Sequence, residues 1–160
     1  MRTPVLVATA LAGVLALSGC QVMSPIQTSE PYQPADGVAV DLGDVQVRDL
    51  VVITGAKGEV GTLSGMVVNR GTQPVTITFA AGASGDAARA EIAAGKQARL
   101  SGLDGIGAIT LPSIAVAPGG VIKLTVSTPA GGAPQVSVPV LLPDGVYATI
   151  TPAPSETTSG

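Results

Sequence analysis

Alternation of apolar and polar residues with a period of two dominates the middle of this chain. The alternation is clearest in three runs, Val75–Phe79, Ile122–Val126 and Val136–Val140. Successive side chains of a β-strand point to opposite faces, so each run predicts a strand with one face in a core and the other in water. No helix-length pattern competes with these runs, and together they predict an all-β domain.

Shorter runs predict further strands, about eight in all. One run changes phase, because Val45 and Val47 point one way and Leu50 points the other. That change predicts a β-bulge at Asp49. Pro139 lacks an amide hydrogen, so its strand is expected at a sheet edge or beside a bulge. The other predicted strands are 63–69, 88–92, 97–100, 109–111 and 146–150, with a short Ala-rich helix as an alternative for 80–92.

Turn-forming residues separate the strands, since the chain has 21 Gly and 13 Pro. Segments such as Pro118–Gly120 and Pro143–Gly145 are typical of the tight turns that join short strands. Aromatic residues are few, and the alternation places Phe79 inside a core built mainly of Val, Leu and Ile. The predicted fold is an antiparallel β-sandwich, with immunoglobulin-like layering of two sheets.

The N-terminal segment is predicted to direct export and lipid attachment. Val5–Leu17 carries no charge, but its 13 residues are too few to span about 30 Å of hydrocarbon, as expected for a signal-peptide core. The tetrapeptide Leu17-Ser18-Gly19-Cys20 follows and resembles the bacterial lipobox. The resemblance implies a diacylglyceryl group on the Cys20 sulfur, cleavage before Cys20, and acylation of the freed amine, for example by palmitate. The alternative is an ordinary secreted protein with one free thiol.

These features predict a protein held at the extracytoplasmic face of the cell membrane, with the bilayer contacted through the lipid on Cys20. Pro25, Pro31 and Pro34 interrupt any helix after the lipidated cysteine, which is typical of a flexible tether. The predicted organisation is a signal peptide at 1–19, the lipidated cysteine and tether at 20–37, a β-sandwich domain at 38–151 and a disordered tail at 152–160.

Charge argues against nucleic-acid binding. The net charge is −3, and basic residues are nowhere consecutive. Binding to a phosphate backbone relies on clustered Lys and Arg, so a nucleic-acid partner is not expected. Direct electrostatic adsorption to anionic lipids is unsupported for the same reason.

Composition also argues against catalysis and against a metal cofactor. The chain has no histidine, which excludes a Ser-His-Asp triad and a His-ligated zinc site. Lys57, Lys96 and Lys123 follow no serine at helical spacing and are expected to be solvated. The glycines of Gly55–Gly61 precede no helix pattern, so this segment is interpreted as a hairpin turn instead of a phosphate loop. We expect no enzyme activity and find no sign of a small-molecule substrate.

A calcium site is also not expected. Asp36, Asp41, Asp44 and Asp49 form a loose acidic series. The series lacks the close ligand spacing and the glycine pivot of a calcium loop.

Three segments resemble a known family: Val45–Asp49, Gly65–Val75, and Ile114–Leu124 followed by Val136–Val140. Their order is similar to that of the periplasmic copper chaperones that deliver copper to the Cu(A) centre of cytochrome oxidase, and of their actinobacterial lipoprotein relatives. The resemblance implies a cupredoxin-like sandwich, in agreement with the strand pattern.

The copper ligands of that family are missing here. The family binds Cu(I) with two His and two Met, which suit a soft ion. Of the three methionines, Met1 belongs to the signal peptide, Met23 to the tether, and Met66 to a predicted strand, where we expect it to fill a gap in the core. The sequence therefore predicts no metal site.

Two functions follow from these observations. The first is a non-catalytic accessory or protein-binding module at the cell envelope, with an envelope protein of unknown identity as its partner. The alternative is a copper-handling or chaperone protein related to the periplasmic copper chaperones, acting in a complex that supplies the missing ligands.

Overall fold

The computed structural model describes residues 37–82, 87–102 and 106–150. The predicted signal peptide, lipobox, Cys20, tail and all of the predicted tether except Gly37 lie outside the described residues, so these predictions stay predictions. The strands are β1 (Val38–Leu42), β2 (Val45–Ile53), β3 (Gly61–Asn69), β4 (Val75–Ala81), β5 (Ala87–Ile92), β6 (Gln97–Arg99), β7 (Thr110–Leu111), β8 (Val121–Ser127) and β9 (Gln135–Leu141), and a 3₁₀ helix covers Gly145–Tyr147.

The strands form one sheet in the order β5-β4-β8-β9-β2-β3-β6, with β1 paired to β2 and β7 paired to β3. The sheet curls so far that it nearly closes into a barrel. All pairs are antiparallel except β2–β9, which run parallel where Val52 and Ile53 lie beside Val140 and Leu141. The predicted all-β, cupredoxin-like sandwich is confirmed, with nine described strands. The additional strand, β1, lies where the sequence leaves the predicted tether.

The core lies inside this curled sheet and is mainly aliphatic, as the composition predicted. Phe79 is fully buried, which confirms the prediction that the alternation in Val75–Phe79 turns Phe79 towards the core. The same core cluster includes residues from all the long strands: Val47, Leu50, Val52, Leu63, Val67, Ile77, Leu124, Val126, Val138 and Val140.

The predicted bulge at Asp49 is confirmed. The register of β2 on β3 shifts between Arg48 and Val51, and Asp49 has a φ of 55°. The extra residue lets Val47 and Leu50 both face the core although their parities differ.

Beyond the bulge, β2 is buried on both faces. Leu50 and Val52 belong to the main core, whereas Val51 and Ile53 form a second cluster with Ile150 on the outer face of the sheet. Leu141 and Tyr147 pack against that cluster. The C-terminal segment therefore covers the outer face of β2.

This covering segment corrects the strand predicted for 146–150. The amide of Tyr147 donates to the carbonyl of Asp144 at 2.8 Å, and the amide of Ile150 donates to that of Tyr147 at 2.9 Å. These local bonds close helical turns, so Tyr147 and Ile150, three residues apart, reach the same cluster. A short apolar run fits both the two-residue period of a strand and the longer period of a helix, and here the strand was the wrong choice.

The segments on either side of β3 and β4 have the conformations that the sequence favoured. Antiparallel pairing of Ile53 with Thr62 makes 54–60 the loop of a hairpin, as predicted for Gly55–Gly61. The segment from Ala87 to Ile92 is a strand, so the helical alternative is wrong there.

Pro139 does not lie at the sheet edge, because β9 runs between β8 and β2. The amide of Val140 donates to the carbonyl of Gly120, the residue just before β8, at 2.9 Å. Hydrogen-bonding directions alternate along a strand, so the nitrogen of Pro139 points away from β8. On that other side β2 pairs with Val140 and Leu141. The proline therefore removes no ladder bond.

Candidate functional site

A groove of about 450 Å³ lies on the outer face of the sheet, between β2, β3 and β6 on one side and the C-terminal segment on the other. Its floor is formed by strand residues and its rim by the 3₁₀ helix. We call it the outer groove; its lining residues are Arg48, Asp49, Ser64, Gly65, Met66, Arg99, Ser101, Val146, Tyr147, Thr149 and Ile150.

Three side chains cross the floor of the outer groove as one row. Arg48 of β2 is the register partner of Met66 in β3, and Met66 is the partner of Arg99 in β6. Directly opposed residues on one face of a sheet have Cβ atoms about 4.5–5.5 Å apart. The row therefore places one thioether between two guanidinium-bearing side chains.

Arg48 is held in place by neighbours on β1 and β2. Its Nη2 atom pairs with Asp41 Oδ1 at 2.6 Å, and its Nη1 atom donates to the carbonyl of Val47 at 2.9 Å. The side chains of Arg48 and Asp41 are 40% and 65% exposed. An ion pair at such exposure contributes about 0–1 kcal/mol, so its main effect is to fix the guanidinium beside the groove.

Met66 does not fill the core, contrary to the sequence prediction. In β3 the residues Leu63 and Val67 face inward and are fully buried, whereas Met66 has the opposite parity and is half-buried on the outer face. The bulge lies in β2, so β3 keeps its alternation throughout. The thioether thus belongs to a surface groove.

The bulge shapes one end of this groove. Gly65 lies opposite Asp49 with a φ of 140°, and it leaves the backbone of β2 close to that of β3. Asp49 Oδ1 also accepts a hydrogen bond from the amide of Gly37 at 3.1 Å. The chain therefore enters the described domain beside the outer groove.

Asn69, which lies within one of the resemblance segments, has a structural role. The residue is 2% exposed, and its Nδ2 donates to the carbonyls of Gln73 at 2.8 Å, Ile92 at 3.1 Å and Ala93 at 3.2 Å. Its Oδ1 accepts from the amide of Gly71 at 2.9 Å. The side chain joins the β3–β4 turn to the last residue of β5 and the residue after it.

The side chains of the described residues form no obvious set of metal ligands. The described residues contain no group of three or more His, Cys, Asp or Glu side chains placed to bind one. Asp36 of the acidic series lies outside the described residues; Asp41 is engaged by Arg48 and Asp49 by Gly37. Met66 is the single thioether of the described part, which is too few for a cuprous site.

The lysines are exposed, as predicted. Lys123 Nζ donates to Ser137 Oγ at 2.5 Å across β8 and β9. The fold thus brings one lysine to a serine that sequence spacing did not connect. Both side chains lie on a solvent face, and a nucleophilic pair needs a partly desolvated lysine to act as a base.

Sequence reasoning did not identify the outer groove. Cys20 and the lipobox residues Leu17, Ser18 and Gly19 lie outside the described residues. Arg48 lies in one of the resemblance segments but has no assigned role there, and Arg99 belongs to no motif. Their proximity depends on the register of β2, β3 and β6, which single-sequence patterns do not give. Among the described residues, no helix is long and apolar enough to cross a membrane.

The chain is similar in fold to solved PCuAC domains. One is the apo PCuAC domain from PmoF1, with a TM-score of 0.53 and 14% identity over 66% of this chain and 100% of that domain. Another is the apo PCuAC domain from PmoF2, with a TM-score of 0.50 and 16% identity over 68% of this chain and 98% of that domain. A copper-bound PCuAC domain from PmoF2 aligns with a TM-score of 0.48 and 16% identity over 66% of this chain and 99% of that domain.

No family model matches the chain, and no curated protein matches it either. At such low identity the structural likeness shows the fold, and it supports the PCuAC-like architecture that the sequence resemblance implied.

Proposed function

We propose that the chain is a lipid-anchored protein of the bacterial cell envelope whose β-sandwich domain works by non-covalent binding, with the outer groove as its contact surface. The observation that carries the binding proposal is the row of Arg48, Met66 and Arg99 beneath an apolar rim. This groove combines two cationic side chains with a polarisable one. Arginine and methionine are enriched in protein interfaces.

Contacts within the domain hold the lining of the groove in place before any partner binds. Arg48 is fixed by its bonds to Asp41 and to the carbonyl of Val47. Ile150 is 8% exposed and anchors the C-terminal rim to the sheet. A surface that is ordered before binding loses less conformational entropy when a partner arrives.

Anchoring through Cys20 is supported by the lipobox resemblance and by the single cysteine of the chain. Two or more acyl chains give stable membrane attachment where one does not, since each buried methylene contributes about 0.8 kcal/mol. Cys20→Ser is expected to move the protein from the membrane fraction to the soluble fraction after a carbonate wash. A globomycin-type inhibitor of the lipoprotein signal peptidase should leave the precursor uncleaved. Retention of Cys20→Ser in washed membranes would contradict the anchor.

Binding at the outer groove can be tested with a photo-crosslinking residue in intact cells. Placed at Thr149, which lines the groove, the crosslinker should give a discrete adduct with one envelope protein. At the exposed Ala133 in the β8–β9 turn it should give none. Arg99→Glu should remove most of the Thr149 adduct, whereas Arg89→Glu, a matched reversal on the exposed side of β5, should keep it. Equal adducts at both crosslinking positions, or none at either, would contradict the proposal.

Copper handling is the second candidate, and the fold likeness to PCuAC domains favours it. That likeness supports copper handling more directly than it supports protein binding. The composition of the chain disfavours copper handling. A domain that has no histidine, and Met66 as its one described thioether, would need copper ligands from a second protein.

A competitive Cu(I) titration of the mature full chain distinguishes the two candidates. If the chain is a protein-binding module, the monomer should show no sub-micromolar binding of Cu(I). Sub-micromolar binding that Met66→Leu abolishes, and that the neighbouring control Val68→Leu preserves, would favour copper handling instead.

A further inference from the structure

The described surface exposes three large hydrophobic side chains, and all three lie around one end of the β8–β9 hairpin. Val121 is 56% exposed, Leu142 45% and Val146 85%. Leu142 and Val146 line a shallow cavity of about 490 Å³ together with Pro118. Val121 begins β8 directly opposite Pro139 of β9. We call these five residues, Pro118, Val121, Pro139, Leu142 and Val146, the apolar end patch.

The packing beneath the apolar end patch holds it in one arrangement. Tyr147 and Leu141 line the same cavity as Leu142 and Val146, and both also pack on the buried outer cluster of β2. Local bonds from Tyr147 to Asp144 and from Ile150 to Tyr147 fix the backbone between them. The exposed side chains are therefore presented by an ordered support.

The chain enters the domain close to this patch. The amide of Gly37 is bonded to Asp49, and Asp49 lines the outer groove together with Val146 and Tyr147. The 16 residues between Cys20 and Gly37 span at most about 50–60 Å when extended. A lipid on Cys20 would therefore keep this end of the domain within reach of the bilayer.

We infer that the apolar end patch docks on the lipid bilayer. The inference rests on the proposed lipid anchor. Singly scattered apolar residues on a surface are ordinary, but a contiguous apolar group marks an interaction surface. Valine and leucine side chains can enter the boundary between headgroups and acyl chains. A short tether gives an effective concentration in the millimolar range, so a contact with a dissociation constant of about 1 mM is substantially occupied.

Charge does not drive this contact. Arg48 and Arg99 lie on the groove side of the 3₁₀ helix with Asp49, and Asp144 lies on the patch side. Asp41, which pairs with Arg48, adds a third negative side chain, so these residues carry no excess of positive charge. Docking on the bilayer should consequently change less than about twofold between low and high salt, because screening acts on charge interactions alone.

The test uses the full chain, purified from a bacterial host that processes lipoproteins and reconstituted in phosphatidylcholine vesicles with a minor fraction of phosphatidylglycerol and a headgroup-attached nitroxide quencher. A fluorophore is placed on Ala148→Cys, beside the patch, or on Ala133→Cys, in the turn at the far end of the hairpin. Both positions are exposed alanines, and the proposed thioether leaves Cys20 unlabelled. The far turn lies about 20 Å away along β8. We expect quenching at least threefold stronger at position 148 than at position 133.

A charge within the patch should abolish that difference. Val146→Asp is expected to lower quenching at position 148 to the level of position 133, whereas Ala130→Asp, at the far turn, should have no effect. Val146 is 85% exposed, so the variant should fold, which circular dichroism of the same sample checks.

Flotation of the vesicles separates the two proposals. Failure of the wild-type chain to float with the vesicles would overturn the lipid anchor. Flotation with equal quenching at the two positions, or quenching that Val146→Asp leaves unchanged, would overturn the docking alone; a protein partner would then be the better occupant of the patch.

Discussion

Gly65 lies opposite the bulged residue Asp49, and a Cβ atom on Gly65 would come within 2.9 Å of the carbonyl oxygens of both Arg48 and Asp49. The φ of Gly65 is 140°, a region that residues with a side chain rarely adopt. This close approach of two backbones lets β2 change phase while β3 does not.

Gly65→Ala should therefore destabilise the domain by about 2–3 kcal/mol, since the new methyl group meets backbone atoms and the conformation is strained. Chemical unfolding of the domain measures the loss. Ser64→Ala, at a half-buried neighbouring position, is the control and should change the free energy of unfolding by less than about 0.5 kcal/mol. Equal effects of the two substitutions would mean that the bulge tolerates a side chain.

Asn69→Ala should cost about 2–3 kcal/mol, because the carbonyls of Gln73, Ile92 and Ala93 lose a shared donor. Asn69→Asp should cost more at neutral pH, since a carboxylate would face the same three oxygens. Thermal or denaturant unfolding gives both values. Gln73→Ala, at an exposed position in the same turn, is the control, and a comparable loss there would contradict the assigned role.

Thr62→Val should stabilise the domain by about 1 kcal/mol. Thr62 is 1% exposed, and its hydroxyl has no hydrogen-bond partner among the described residues, so removing that hydroxyl removes a desolvation cost.

Thr54→Val provides the matched comparison with the opposite sign. Thr54 is also buried, but its hydroxyl is within bonding distance of the carbonyls of Ala56 at 3.1 Å and Val60 at 3.0 Å. This variant should lose about 1–2 kcal/mol. Denaturant unfolding of the two variants, measured side by side, gives the change in the free energy of unfolding. Changes of the same sign would contradict the different bonding states given to the two hydroxyl groups.

Ile150→Ala should destabilise the domain by about 2 kcal/mol, because the side chain packs on Val51 and Ile53. Hydrogen exchange should show faster opening of the C-terminal segment in this variant. Thr149→Ala, exposed beside it, should leave exchange unchanged. If this segment were instead held by strand pairing, its protection from exchange would depend on backbone hydrogen bonds. Protection would then be unchanged in Ile150→Ala.

The sequence alone determined the features that depend on nearest neighbours. Alternation in Val75–Phe79 gave the inward face of β4, and the phase change after Val47 located the bulge at Asp49, because side chains two residues apart share a face in any strand. The same reasoning failed at Val146–Ile150, where five residues fit either period and the choice was made by contacts with Val51 and Ile53.

Tertiary structure decided everything that depends on which strands meet. The parity of Met66 is visible in the sequence, but which face is buried is set by the partners of β3. The row of Arg48, Met66 and Arg99 exists because the registers of three strands coincide. Val121, Leu142 and Val146 likewise come together where β8, β9 and the C-terminal segment converge. Local patterns encode the direction of each side chain, whereas the long-range pairing that assembles a surface is fixed by packing of the whole sheet.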